Sequence, residues 1–261
     1  MVMTLYQVDA FTDRLFAGNP AAICPLEKWL DDTLMQQIAA ENNLSETAFF
    51  VGSDGCYDLR WFTPTIEVDL CGHATLAAAH VVFCYLEPGA DQVRFNSRSG
   101  PLLVKRDGGR LQMDFPVACM VKCEAPEGLI VGLGVTPSAV FKGQDYMVVL
   151  DHEQQLHALQ PDFRVLAGLD LRGVIVTAPG MAVDFVSRFF APNAGIDEDP
   201  VTGSAHCALT PYWVDRLNIN PLRARQVSER GGELLCQLDD QRVILGGQCV
   251  TYLVAELLLE L

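Results

Sequence analysis

Two short glycine-led segments frame the reactive residues of this chain. Cys71-Gly72-His73 precedes the run ATLAAAH, and Thr202-Gly203-Ser204 precedes AHCALTPYW. A glycine and a polar residue ahead of an apolar run mark a helix start. Unpaired N–H groups and the positive end of the helix dipole there can hold an anion, so Gly72 and Gly203 are candidate binding positions. An acid precedes each segment: Glu46 in NLSETAFF and Asp199 in DEDPVTGS. Glu46 opens an apolar strand, and alternation puts it on the face of Ala48 and Phe50. Desolvation favours the protonated form of a carboxyl group, which suits an acid/base working near neutral pH, although a solvated or capping glutamate at a strand start is the more ordinary use.

The other polar residues also carry more than one reading. His73 could donate to a substrate carbonyl, act as a general acid, begin a helix or bind zinc. His80 shares its helix face seven residues on, but neither HExxH nor a Cys/His cluster accompanies the pair, so no metal is expected. Asp199 would orient His73 or the substrate, or occupy a turn before Pro200. Ser204 would bind substrate, cap the helix, or do both. Asn19 and His206 are further site-lining candidates. Cys71 is a helix-start thiol that could serve as a base, or a small core residue.

The elements that must position these residues are mostly short strands rich in β-branched and aromatic side chains. They are expected at residues 5–11, 47–51, 57–62, 93–96, 102–106, 111–115, 146–150, 173–178, 184–190, 233–237, 243–245 and 250–257. Helices are expected at 31–41, 74–86 and 205–217, with a weaker one at 163–168. The chain also repeats itself. RWFTP leads to CGHATLAAAH as SRFFAP leads to TGSAHCALTPYW, and RFNSRSGPLLVKRDGGRLQM matches RQVSERGGELLCQLDDQRVIL. Gly72 and Gly203, Ser97 and Ser228, and Gly100 and Gly231 are each 131 positions apart, whereas Arg60 and Arg188 are 128 apart. One register across strand, helix and hairpin implies a duplication, with a small insertion assigned to IDEDPV. The halves are expected at 1–115 and 116–261, the last strand being left to complete either one.

Composition narrows the classes. The chain has 261 residues, half of them hydrophobic, with 18 Lys and Arg against 33 Asp and Glu, a net charge of −15. That balance disfavours nucleic acid and anionic membranes as partners. Nine cysteines without a CxxC pair suit reduced thiols. The opening MVMTLYQVDAFT carries no secretory pattern, and the apolar stretch at 75–86 is too short to span a bilayer, so a cytoplasmic location is expected. A dinucleotide enzyme would need GxGxxG between strand and helix, and a serine hydrolase GxSxG; neither occurs.

VDAFTDRLFAGNPAA (Val8–Ala22), ENNLSETAFF (Glu41–Phe50), RWFTPTIEVDLCGHAT (Arg60–Thr75) and DEDPVTGSAH (Asp197–His206) together resemble the PhzF-like (phenazine-biosynthesis) isomerase family. The resemblance implies an α+β, diaminopimelate-epimerase-like fold: two similar domains, each a curved, barrel-like antiparallel sheet around a central helix. It also implies a homodimer and a site between domains. Carried over motif by motif, it makes Glu46 the proton shuttle, with His73, Asp199 and Ser204 as its catalytic partners. The implied activity is cofactor-independent proton transfer on a small carboxylate, as in the isomerisation of a dihydro-hydroxyanthranilate. Two alternatives stay open. A two-base amino-acid racemase would use Cys71, although Thr202 in the second half cannot be the opposing acid/base. A non-catalytic protein could bind a small anion, although it gains nothing from Glu46.

Overall fold

The computed structural model describes residues 2–259, and the chain divides into two units: Met1–Asp114 with Gly246–Leu261, and Phe115–Leu245. The first unit runs β1 (Val2–Ala10), β2 (Asn19–Leu26), α1 (Asp32–Asn42), β3 (Glu46–Ser53), β4 (Cys56–Phe62), β5 (Glu67–Val68) and α2 (Gly72–Val81). A π-helical turn at Val82–Leu86 follows, then β6 (Gln92–Ser97), β7 (Gly100–Asp107) and β8 (Arg110–Pro116). Strand pairing gives the order β1-β2-β3-β4-β6-β7-β8. Most joints are antiparallel, but β2/β3 and β4/β6 are parallel. Parallel neighbours need a crossover, and α1 and α2 provide the two.

The second unit runs β9 (Val121–Cys123), α3 (Glu127–Leu133), β10 (Ala139–Lys142), β11 (Tyr146–Val149), α4 (Glu153–His157), α5 (Phe163–Leu166) and β12 (Val174–Pro179). It continues with β13 (Phe185–Ala191), β14 (Ile196–Asp199), α6 (Gly203–Leu217), β15 (Leu222–Gln226), β16 (Gly232–Asp239) and β17 (Arg242–Gly247). The order β10-β11-β12-β13-β15-β16 repeats the antiparallel and parallel joints of β1-β2-β3-β4-β6-β7 one for one. The final strand, β18 (Cys249–Leu258), pairs antiparallel with β1 from Ala10↔Cys249 to Val2↔Leu258, so it belongs to the first unit.

Packing follows composition. In α2, Ala74, Leu76, Ala77, Ala78, Ala79 and Val81 are all buried, and the helix packs on β1, β2 and β3. A helix apolar on every side is a core element, and alanines let it lie close to the strands. α1 covers the opposite face, where Met35, Ile38 and Ala39 meet Ala22, Cys24, Phe49 and Phe62. β3 therefore buries both faces, Phe49 toward α1 and Phe50 against the rings of Tyr57 and Phe95. In the second unit Val148, Val174, Val176, Val186 and Phe190 form the core with Leu129, Leu133 and Leu156. α6 continues unbroken through Pro211. Proline removes the N–H that would bond the Cys207 carbonyl, and that carbonyl instead accepts from Ala118 N.

One ion pair occurs twice. Arg60 on β4 forks Glu67 on β5 at 2.7 and 2.8 Å, and Arg188 on β13 forks Glu198 on β14 at 2.7 and 2.8 Å. Each fork ties down the strap that leads into a long helix. Glu67 and Glu198 are already 131 apart, so the insertion lies before Glu198, around the 3₁₀ turn Pro192–Ala194, rather than in IDEDPV. The expected strands omit β2, β5, β9, β10, β14 and β15, and the expected helices omit α3 and α4; most of these are short, and β2 carries Pro20 and Pro25. Among the described residues no helix is long and apolar enough to cross a membrane.

Lysine cannot reproduce the bidentate fork. Arg60→Lys is therefore expected to lower stability by about 1–3 kcal/mol in urea unfolding followed by circular dichroism. An unchanged midpoint would mean that the strap does not depend on the pair.

Candidate active site at the start of the first long helix

Three local facts bring Asn19, Glu46, Cys71, Gly72 and His73 to one end of the first unit. Asn19 and Glu46 are the first residues of β2 and β3, and a parallel joint sets those starts at the same end. The turn before Asn19 requires Gly18: its φ is +66°, and a Cβ would stand 2.2 Å from the Ala10 carbonyl oxygen. The third element is α2, whose first residues are Gly72 and His73 behind the N-cap Cys71. Thr75 folds its hydroxyl back onto the Cys71 carbonyl and holds the helix start closed.

His73 is at the centre. Its Nδ1 meets the Asn19 amide nitrogen at 3.2 Å and Cys71 Sγ at 3.5 Å, and its Nε2 lies 3.1 Å from Glu46 Oε2. The side chains of His73 and Glu46 are only 6% and 13% exposed. Despite the 3.1 Å separation, neither His73 Nε2 nor Glu46 Oε2 has a hydrogen-bond partner. They attract as charges while misaligned as donor and acceptor, so both keep a direction open for a ligand. With the Asn19 amide donating to Nδ1, the proton of a neutral His73 sits on Nε2, facing the carboxylate.

The charges follow from this geometry. Burial alone would lower the pKa of His73, but its interactions with Cys71 and Glu46 outweigh it and raise the value well above the ordinary one. Burial, and then the neighbouring Glu46 carboxylate, push the Cys71 thiol up to about 11. Cys71 is therefore a neutral thiol at pH 7, and the anion that holds a proton on His73 is Glu46. The helix-start effect that would make Cys71 a ready base is overridden by desolvation.

Asp199, Gly203, Ser204 and His206 gather in the second unit at the start of α6. Ser204 is not the cap: the N-cap is Thr202, and Ser204 stands inside the first turn, where its Oγ accepts from Arg172 Nη2 at 3.1 Å. Arg172 is itself forked by the buried Asp145 at 2.9 and 2.6 Å. Asp199 accepts from the Thr202 hydroxyl, which leaves the helix start without a side-chain cap. The buried Gln226 binds both the N–H of Thr202, at 2.9 Å, and the Asp199 carbonyl, at 2.7 Å. His206 donates Nδ1–H to the Thr202 carbonyl at 2.8 Å, and burial holds its pKa near 4, so it stays neutral. Its bare Nε2 is buried without a partner. Thr75 makes the corresponding bond in the first unit, 131 positions earlier.

Arg172, Asp145 and Gln226 escape the motif reading. The available signal was the duplication itself: Gln226 stands where the other half carries Phe95, a polar residue in an apolar register. The same comparison exposes an asymmetry. Thr47↔Phe62 in β3/β4 corresponds to Val174↔Phe190 in β12/β13, so Glu46 corresponds to Gly173. A Cβ on Gly173 would stand 2.7 Å from the Phe190 carbonyl oxygen, so no second carboxylate fits there.

A family model described as phenazine biosynthesis-like protein (PhzC-PhzF) matches residues 8–255. An uncharacterized isomerase of Pseudomonas aeruginosa is 53% identical over 253 residues, 97% of this chain and 98% of that protein. A PhzF family phenazine biosynthesis protein of Enterococcus faecalis has the same fold with a TM-score of 0.96 and 48% identity, over 99% of this chain and 100% of that one. A hydroxyproline epimerase of Agrobacterium vitis shares the fold alone, with a TM-score of 0.61 and 10% identity over 98% and 92%. The architecture is epimerase-like, as the family resemblance implies.

The Glu46–His73 contact has a signature in pH. A histidine raised in the folded state contributes stability that is complete below its unfolded value of about 6.5 and is lost as pH climbs through the folded value. In NMR titrations His73 should deprotonate above the ordinary imidazole range in the wild type and at distinctly lower pH in Glu46→Gln. An unshifted titration in the variant would remove Glu46 as the cause.

Proposed function

Because the chain belongs to the phenazine biosynthesis-like (PhzC-PhzF) family, we propose that it is an isomerase that moves a proton on a small carboxylate substrate, with Glu46 as both acid and base. The observation that carries this reading is the buried Glu46–His73 pair, whose facing atoms have no hydrogen-bond partner. A carboxylate that merely stabilised the fold would have its acceptor satisfied.

In this reading the substrate carboxylate lies against the N–H groups around Gly72 and His73, where the N-cap supplies no side-chain bond. Glu46 takes a proton from the carbon next to an activating group and returns it to another carbon. His73, protonated by its pairing with Glu46, stabilises the enolate charge that develops between the two steps. Gly173 supports a single base, because a two-base mechanism would need a second acid/base opposite the first. Cys71 is held neutral, which weakens the thiol-based racemase alternative. Asp199 and Ser204 keep the role of catalytic partners, and Gly203 and His206 that of substrate contacts, on the strength of the family motif. A carboxyl group and an imidazole suffice for the chemistry drawn here, so it calls on no cofactor. The same resemblance supports a homodimer.

A panel of small carboxylates, including dihydro-hydroxyanthranilate, proline derivatives and diaminopimelate, should be incubated with wild type, Glu46→Gln and Cys71→Ser and read by chiral chromatography and mass spectrometry. Glu46→Gln is expected to lose at least about 100-fold in turnover while remaining folded, and Cys71→Ser to keep most of it. Turnover that survives in Glu46→Gln but disappears in Cys71→Ser would assign the chemistry to the thiol.

A further inference from the structure

The sequence offers no metal motif, because the residues that converge are far apart: Glu46 comes from a strand start, Cys71 and His73 from a helix start. Together they place one carboxylate oxygen, one thiol sulfur and one imidazole nitrogen within 4.8 Å of one another. A tetrahedral zinc ion with a Zn–S bond of 2.3 Å and a Zn–N bond near 2.0 Å sets its sulfur and nitrogen ligands about 3.5 Å apart. Cys71 Sγ is 3.5 Å from one nitrogen of the His73 ring, Nδ1, and Glu46 Oε2 is 3.1 Å from the other, Nε2. The atoms that face each other across the pair, His73 Nε2 and Glu46 Oε2, are buried without hydrogen-bond partners. The Nε2 and Oε2 donors are thus near ligand spacing and unsatisfied, and an ion held between them must draw the Cys71 thiol closer.

We infer that Glu46, Cys71 and His73 form a reversible capture site for a thiophilic divalent cation of the zinc class, and that the bound ion blocks the residues it occupies. Thiolate with imidazole selects zinc or cobalt over magnesium or calcium, which prefer all-oxygen sites. Binding displaces the thiol proton to solvent, forms a metal–sulfur bond and leaves every oxidation state unchanged. Three protein ligands leave the fourth tetrahedral position for water. A rival pair exists in the same unit, where Cys84 Sγ lies 3.7 Å from His80 Nδ1. Cys84 is exposed, and this pair lacks a neighbouring carboxylate ligand among the described residues. The inference does not lean on the isomerase reading, since it concerns only what the three side chains bind.

Cobalt(II) titration of the whole reduced protein tests it directly, because a cobalt–thiolate bond gives a near-ultraviolet charge-transfer band whether or not the protein turns anything over. One band per chain is expected, reversed by zinc and untouched by magnesium. Cys71→Ser should abolish it, Glu46→Gln should weaken cobalt binding about tenfold or more, and Cys84→Ser should leave it unchanged. A band that persists in Cys71→Ser, or vanishes in Cys84→Ser, would overturn the assignment, as would the lack of any band in the wild type. Should Cys71→Ser fail to fold, the Glu46→Gln and Cys84→Ser titrations still decide between the two places.

Discussion

A carboxylate and an imidazole held 3.1 Å apart out of water cannot be kept there by their own attraction alone, because each loses hydration that the other only partly replaces. The surrounding elements supply the rest. The parallel joint of β2 and β3 aligns Asn19 with the start of the strand that carries Glu46, and the alanine-rich α2 drives its first turn into the sheet and delivers His73. Asn19 fixes one ring nitrogen, so the other is left to face Glu46. Burial then sets the charges. It makes the Cys71 thiol a poor anion and leaves Glu46 as the negative partner of His73.

The second unit repeats the scaffold but changes the chemistry. The straps before the helices are pinned by matching arginine–glutamate forks, and the threonine and histidine at 75 and 206 fold back onto matching carbonyls. At the reactive positions the copies diverge: Glu46 becomes Gly173, Cys71 becomes Thr202 and His73 becomes Ser204. One copy therefore concentrates a carboxylate, a thiol and an imidazole. The other collects hydroxyl and amide groups around Asp199, together with the Arg172–Asp145 fork. Duplication followed by this division of residues is what favours a one-base chemistry over a symmetric pair of bases.

Much of this was legible in the sequence because it rests on local rules. The Gly-led helix starts, the alternation around Glu46 and the repeat of Ser97–Gly100 at Ser228–Gly231 are all written in short windows. The parallel joints were not legible, since a strand's partner is set by the crossover that follows it rather than by its own residues. Ser204 looked like a cap because its type suits one, yet Thr202 holds that position and Arg172 claims the serine hydroxyl. The Glu46–Cys71–His73 convergence and the role of Gln226 depend on contacts between distant segments, which no spacing in the chain records. β2 was missed because two prolines interrupt it, and both are tolerated where they fall.

The central claim is that one carboxylate, Glu46, both removes and returns the proton. It is tested most directly with a turned-over substrate carrying deuterium at the carbon that loses its proton, followed by mass spectrometry and NMR of the product formed in ordinary water. Transfer by a single shielded carboxyl predicts that part of the label reappears on the carbon that gains the proton, on the same face, and that Glu46→Gln ends this transfer. Complete wash-out of the label with inversion at the reacting carbon would mean two bases exchanging with solvent, and would contradict the account.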